Sequence, residues 1–379
     1  MTAQMPASTK SDEAKIDAAP QPSGRRDVQI LPIAADTTAL RSRSWERLRF
    51  EIEYALEKGT TANSYLIRGN QIALLDPPGA SFTEKFLDAL KEEIDPHDID
   101  YVVLGHVNPN RLKTLEALLK RAPQATVVCS FPAVRVIEAA GIEHPVQPVK
   151  GGSDLDLGQG HHLEFIATPT PRWPGGLCTY DSYTEVLYSD KFFGAHVCGE
   201  ELYDIEGEKL LEDQQYYFDC LMAPNARQVE VALGKLTNYA PRLYAVGQGP
   251  LERYCVEDLT EYYQQWAARE KNQTESVALI YASAYGNTAT IAQAIARGIT
   301  KAGVSVNSIN AEQATTAEVK EAAENSAGFI MGSPTLGGHA PTQIQTALGV
   351  VLSSASKTKL AGVFGSFGWS GEAIDLLES

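Results

Sequence analysis

The sequence predicts an α/β chain of two consecutive domains, the second of them a doubly wound parallel sheet. At 379 residues the chain exceeds the length at which a single core usually divides. From Glu270 to Ser276 the run Glu-Lys-Asn-Gln-Thr-Glu-Ser offers no apolar anchor and reads as a break. After Val277, short apolar runs and amphipathic stretches alternate strictly, which is the pattern of strand–helix–strand units. The expected partition is a disordered tail at 1–30, a mixed α/β domain at 31–270 and the parallel-sheet domain at 275–379.

The first thirty residues mix Ala, Pro, Ser, Lys and Asp with no apolar period, hence the tail. In the domain that follows, Thr61 to Leu75 reads as a hairpin whose arms, Ser64-Tyr65-Leu66-Ile67 and Ile72-Ala73-Leu74-Leu75, flank a Gly69-Asn70 turn. Val102-Val103-Leu104 and Thr126-Val127-Val128 read as buried strands with helices behind them, and further strands are expected at 163–167, 185–188 and 243–246. In the second domain the predicted order is a strand at Val277-Ala278-Leu279-Ile280, then a helix whose Ile291, Ile295 and Ile299 share one face. A strand near 304–309, a helix from about Ala317, a strand at 328–331, a helix from Thr342 and a strand at 360–364 follow.

Composition narrows the function. A net charge of −16 disfavours nucleic acid and anionic membrane surfaces as partners, because both demand a basic footprint. No stretch of the roughly eighteen apolar residues needed for a membrane span occurs, and no secretory leader is visible at the N-terminus. The five cysteines, Cys129, Cys178, Cys198, Cys220 and Cys255, form no C-x-x-C pair, so neither a disulfide framework nor a thiolate metal site is expected.

Three polar loops fall at the carboxyl edge of the predicted parallel sheet, where such sheets bind ligands. The first, Ser283-Ala284-Tyr285-Gly286-Asn287-Thr288, offers hydroxyls, an amide and a run of backbone N–H groups opening a helix, a set that holds a phosphate without a lysine. Taken alone it is equally well read as a capped turn. Two further loops, Gly332-Ser333-Pro334-Thr335-Leu336-Gly337-Gly338 and Gly365-Ser366-Phe367-Gly368-Trp369-Ser370-Gly371, lie at the same edge and tip the balance. These residues resemble flavodoxins. The resemblance implies that Ser283, Ala284, Tyr285, Gly286, Asn287 and Thr288 take the phosphate of FMN. It likewise implies that Ser333, Pro334, Thr335 and Leu336, with Ser366, Phe367, Gly368, Trp369, Ser370 and Gly371, approach the flavin ring, Trp369 or Phe367 covering it. Flavodoxins continue for another strand and helix, so the chain reads as truncated at Ser379.

Upstream, the segments Gly59-Thr60-Thr61-Ala62-Asn63-Ser64-Tyr65-Leu66-Ile67, Thr168-Pro169-Thr170-Pro171-Arg172-Trp173-Pro174 and Leu187-Tyr188-Ser189-Asp190-Lys191-Phe192-Phe193-Gly194 are similar to the flavodiiron proteins. That family places a metallo-β-lactamase-like αββα sandwich with two irons ahead of its flavodoxin domain. The implied ligand positions here carry His106, Asn108, Asn110, Arg111, Arg172, Lys191 and Gln248. Of these only His106 keeps the family's residue. Asp190 stands one position from the expected bridging aspartate, and strand alternation would turn it to the other face. With Arg111, Arg172 and Lys191 gathered where iron should sit, the expectation is no di-iron centre and a cationic pocket suited to an anion. His161, His162 and His196 read as packing or surface histidines rather than replacement ligands.

The pattern, with Leu40-Arg41-Ser42-Arg43-Ser44-Trp45-Glu46-Arg47-Leu48, resembles the flavodiiron group of oxygenic phototrophs in which one paralogue has lost its iron ligands. Members of that group carry a C-terminal flavin reductase domain, absent from this sequence. The resemblance implies an oxidoreductase that passes electrons from NAD(P)H or a ferredoxin-like carrier through FMN to O2. It implies a head-to-tail homodimer, or a hetero-oligomer with a metal-bearing paralogue, in the cytoplasm or a plastid stroma. Two other readings stay open: flavin-only oxygen reduction, and a non-catalytic regulatory or structural subunit with an anion-binding pocket.

Overall fold

The computed structural model describes residues 26–45, 58–205, 207–271, 275–355 and 359–378. Seven strands form the first sheet in sequence order: β1 (Arg26–Ala34), β2 (Thr37–Ser44), β3 (Thr60–Arg68), β4 (Ile72–Leu75), β5 (Tyr101–Val103), β6 (Thr126–Ser130) and β7 (Val146–Val149). Its helices are α1 (Thr83–Glu93), α2 (Pro109–Leu119) and α3 (Phe131–Ala139). Strand alternation divides the burial. Leu66, Leu74, Val102 and Val127 face Phe86, Leu90, Leu115 and Ile137 of the helices. Their sequence neighbours Ile67, Leu75, Val103 and Val128 face the second sheet.

The second sheet has the order β12-β11-β10-β9-β8, from β8 (Asp154–Gly158), β9 (His161–Ala167), β10 (Leu177–Asp181), β11 (Val186–Asp190) and β12 (Leu243–Val246). Helices α4 (Glu208–Leu221), α5 (Ala226–Leu236) and α6 (Val256–Lys271) bring Phe218, Val229, Leu233, Tyr263 and Trp266 into the same core. The result is four layers, helices outside and two sheets within.

The second domain is a parallel sheet of order β14-β13-β15-β16. Its elements run β13 (Ser276–Tyr281), α7 (Asn287–Lys301), β14 (Ser305–Asn310), α8 (Thr316–Asn325), β15 (Gly328–Pro334), α9 (Thr342–Ser354), β16 (Leu360–Ser366) and α10 (Glu372–Glu378). Because β13 has β14 on one side and β15 on the other, the chain switches direction at the edge where β13 ends, the place at which such sheets form a crevice. Three polar contacts tie the domains together: Ser305 Oγ donates to Glu270 O at 2.7 Å, Tyr281 Oη to Pro171 O at 3.2 Å, and Arg227 pairs with Glu321 at 3.0 Å.

Two features depart from the sequence expectations. Strand β1 starts at Arg26, inside the segment expected to be a tail, because Val28 and Ile30 pack against the helix-covered core. Strand β2, Thr-Thr-Ala-Leu-Arg-Ser-Arg-Ser, is buried throughout although its composition is that of a surface. Arg41 donates through Nη1 to Gln29 and to the Glu201 carbonyl, and Arg43 forks onto Asp27 and reaches Glu200, so both guanidinium groups are anchored, while Arg41 Nε and Nη2 and the Ser42 and Ser44 hydroxyls are buried without a hydrogen-bond partner among the described residues. Of the Leu40–Leu48 signature, 46–48 lie outside the described residues. Among the described residues no helix is long and apolar enough to cross a membrane.

A carboxyl pair closes the second sheet. Asp204 accepts the backbone N–H groups of Arg253, Tyr254 and Cys255 at 2.8 to 3.1 Å. Beside it Glu252 is 1% exposed, and burial, reinforced by the Asp204 charge, raises its pKa well above the usual carboxylate value. A pKa raised on folding stabilises fully below the unfolded value and loses that stabilisation as pH rises, at about 1.4 kcal/mol per pH unit between the two. Glu252→Gln is therefore expected to melt higher than the parent at pH 8 and at the same temperature near pH 4. Equal melting at both would show that Glu252 carries its charge in the fold.

Candidate functional site

The pocket at the positions that match the family's iron ligands lies between the ends of the two inner sheets. Asp76, which follows β4, accepts Arg111 Nη1 at 2.6 Å and the Gly105 N–H at 2.8 Å on one carboxylate oxygen. Asp190, at the end of β11, accepts His106 Nδ1 at 2.6 Å on one oxygen and Arg111 Nη2 at 3.3 Å on the other. All four of these side chains are buried. One guanidinium thus bridges two carboxylates, its fork geometry serving both. A Cβ at Gly105 would lie 2.7 Å from Asp190 Cβ, so glycine is needed for this approach.

The network fixes the imidazole. Asn108 is the N-cap of α2, its Oδ1 accepting the Arg111 N–H at 2.8 Å, which leaves its Nδ2 facing His106 Nε2 at 3.1 Å. An amide N–H can only donate, so Nε2 is the acceptor and Nδ1 carries the proton given to Asp190. Burial, with the nearby Arg111 charge, lowers the His106 pKa to about 4; the ring is neutral at pH 7. Burial raises Asp76 to about 6 against the opposing pull of Arg111. It pushes Asp190 the same way, but His106 and Arg111 outweigh it and hold that carboxylate below the usual range.

Two sequence expectations are corrected here. Asp190 does not turn away. The pairing of β11 with β12 shifts register between Tyr188 and Asp190, and Asp190 adopts φ +48°. The period-two alternation fails at this residue, and its carboxylate enters the site. Nor is the centre a cluster of three repelling cations, since Arg111 is neutralised by two carboxylates that the motif comparison did not supply. Lys191 and Arg172 lie against the Trp173 ring, at 5.5 and 5.1 Å, and Lys191 Nζ reaches Gln248 Oε1 at 3.4 Å. Gln248 also accepts from Tyr217 Oη at 2.9 Å. Asn110 is elsewhere, accepting the Ala80 N–H at 3.0 Å. His161 and His162 pair with Asp181 and Asp154, while His196 contacts Thr60 Oγ1 at 2.9 Å.

This donor set does not fit two irons. His106 Nε2 is occupied by an amide donor, the carboxylates are held by a guanidinium, and among the described residues no group of three His, Cys, Asp or Glu is placed to hold a metal.

The second constellation is at the crevice of the parallel sheet, where the three polar loops meet. Thr288 Oγ1 lies 2.7 Å from Ser366 Oγ, and the Thr335 N–H donates to Ser366 O at 3.0 Å. Gly286 is the N-cap of α7 at φ +85°, and no side chain caps the helix from that position; Ser283 Oγ accepts the Ala289 N–H at 3.0 Å. Trp369 is 99% exposed and Tyr285 86%, and Phe367 is exposed as well. The Thr335 hydroxyl is buried without a hydrogen-bond partner. An open helix start, bare aromatic faces and an orphaned hydroxyl fit an aromatic ligand carrying a phosphate.

Fold and site together define a two-domain core: a β-lactamase-like sandwich with an arginine-bridged acidic pocket between its sheets, joined to a flavodoxin module. The family model described as ODP family beta lactamase matches residues 60–243, and the flavodoxin model matches 279–379. The metal-soaked Flv1 flavodiiron core from Synechocystis sp. PCC6803 superposes with a TM-score of 0.89 at 60% identity, covering 93% of this chain and 89% of that one. Diflavin flavoprotein A 6 of Nostoc sp. PCC 7120 is 62% identical over 93% of this chain and 62% of its own length. The rubredoxin oxygen:oxidoreductase of Desulfovibrio gigas, at 24% identity and a TM-score of 0.60 over 92% of this chain and 88% of that one, shares the fold. The chain belongs to the flavodiiron family. It spans about three fifths of the length of the curated relatives it matches.

Removing the bridging cation leaves two buried carboxylates unpaired, which typically costs about 3–5 kcal/mol. Arg111→Ala is expected to lose that much in urea unfolding, and Arg111→Lys to recover only part, since an ammonium lacks the fork. A loss below about 1 kcal/mol would mean that the bridge contributes no more than a surface pair.

Proposed function

We propose that this chain is an electron-transferring flavoprotein subunit of an oxygen-reducing system, with its metal chemistry supplied by a paralogue carrying an intact di-iron site. The observation that supports this best is the contrast between the two sites. The flavin loops present open donors and bare rings, whereas the pocket that should hold iron is filled by Arg111, Asp76, Asp190 and Asn108.

In this reading loop 283–288 holds the FMN phosphate at the start of α7, and Trp369 or Phe367 lies over the ring. Bound FMN would accept electrons from NAD(P)H or a reduced ferredoxin-like carrier and pass them on singly or in pairs. The exposed aromatics exclude water from one face of the ring, and Thr335 offers a hydroxyl to its polar rim. The partner subunit is placed head-to-tail, as either a second copy of this chain or the metal-bearing paralogue, with O2 reduced to water there. A cytoplasmic or stromal location goes with this assignment.

Flavin absorbance and metal analysis of the purified chain are expected to give FMN close to one per chain and iron below a tenth of that. Two irons per chain would overturn the reading. Within the assembled hetero-oligomer, Gly286→Val, strained at φ +85°, is expected to remove this subunit's flavin and slow oxygen consumption by at least tenfold. Full oxygen reduction with that loop disabled would sink the relay. A second reading, a non-catalytic subunit sensing an anion, draws on Lys191 and Arg172 flanking Trp173; it requires an anion-dependent melting shift together with that undiminished oxygen consumption.

A further inference from the structure

The seam between the domains opens again at the other end of α7, away from loop 283–288. A cleft of about 550 Å³ lies where α4 and α6 of the first domain meet the last turns of α7, lined by Tyr216, Asp219, Arg269, Glu270, Arg297 and Lys301. That is the size of space small ligands fill. Gly298 lines it too, and a Cβ there would meet no atom within 4 Å. Packing against α4 therefore does not call for this glycine, although glycine weakens a helix interior. Room is left that no side chain takes.

The cleft is charged against the sign of the chain. In a protein of net charge −16, its lining sets Arg269, Arg297 and Lys301 against Asp219 and Glu270. Both carboxylates are engaged already: Arg269 Nη2 lies 2.9 Å from Asp219 Oδ1 and 3.0 Å from Glu270 Oε1. Burial pushes the two acids above the usual carboxylate range, and Arg269 opposes it. Arg297 and Lys301 stand four residues apart on α7 and so share one face, with about 5–6 Å between their Cβ atoms. The negative end of the helix dipole accounts for a lysine in the last turn. It does not account for the open volume, nor for Tyr216, half exposed on the opposite wall.

We propose that this seam cleft binds a nucleoside diphosphate, its two linked phosphates held by Arg297 and Lys301 and its base laid on the Tyr216 ring. The cation spacing suits a pair of phosphates better than a single carboxylate, and a guanidinium is well shaped for phosphate oxygens. A ring stack serves every base. Because its walls belong to both domains, the ligand bridges them at the far end of the helix whose start forms loop 283–288.

The test is calorimetric titration of the intact chain with ADP and with UDP, in excess FMN so that loop 283–288 is not the site read. Both nucleotides are expected to bind, more tightly than pyrophosphate or adenosine alone. Arg297→Gln combined with Lys301→Gln is expected to weaken them at least about tenfold, the scale of one charge-assisted contact. Gly298→Leu, which fills the cleft, should abolish binding, and Tyr216→Ala should weaken ADP while leaving pyrophosphate unchanged. Melting curves of each variant check the fold. Absence of binding by either nucleotide at millimolar concentration overturns the proposal, as does equal affinity in the parent and the charge variant. Pyrophosphate binding as tightly as ADP leaves the ring no role and overturns the nucleoside assignment.

Discussion

The Arg111 guanidinium between Asp76 and Asp190 is the contact on which the first domain's site depends. Two carboxylates buried at the ends of separate sheets repel each other strongly in a medium of low polarizability, and something cationic must lie between them. In a metal-bearing member of the fold that role belongs to the ions. Here a side chain performs it, and the rest follows: His106 is turned to give its Nδ1 proton to Asp190, Asn108 both caps α2 and closes Nε2, and Gly105 remains glycine so that Asp190 can approach. One side chain thus organises the whole centre of the pocket.

Most of the fold was legible in the sequence. The hairpin at β3 and β4 was marked by apolar arms around Gly69-Asn70, and β13, β15 and β16 of the second domain by apolar runs before polar loops. Both signals follow from burying one or two faces of a sheet. Strand β2 was not legible, because its arginines are buried through pairing with Gln29, Asp27 and Glu200, partners that only the tertiary structure brings near. A strand that hides charge carries no periodic mark.

The site divided along the same line. Loops at 283–288, 333–336 and 366–371 could be found because each follows a strand directly and the topology delivers all three to one edge. Asp76 could not be found by matching ligand positions, since it lies outside the motif clusters, although an acid placed straight after the apolar run Leu74-Leu75 was a usable signal. Asp190 was misjudged for a geometric reason. Counting alternation assumes an unbroken ladder, and the ladder against β12 slips at that residue.

Arg111 also sets what any ion at this centre would have to displace. A cation could reach Asp76 and Asp190 only by removing the guanidinium that now pairs with both, and it would still meet the Asn108 amide at the imidazole. Substitutions at the rim of the pocket leave that pairing intact, whereas a substitution at its centre uncovers two desolvated acids at once.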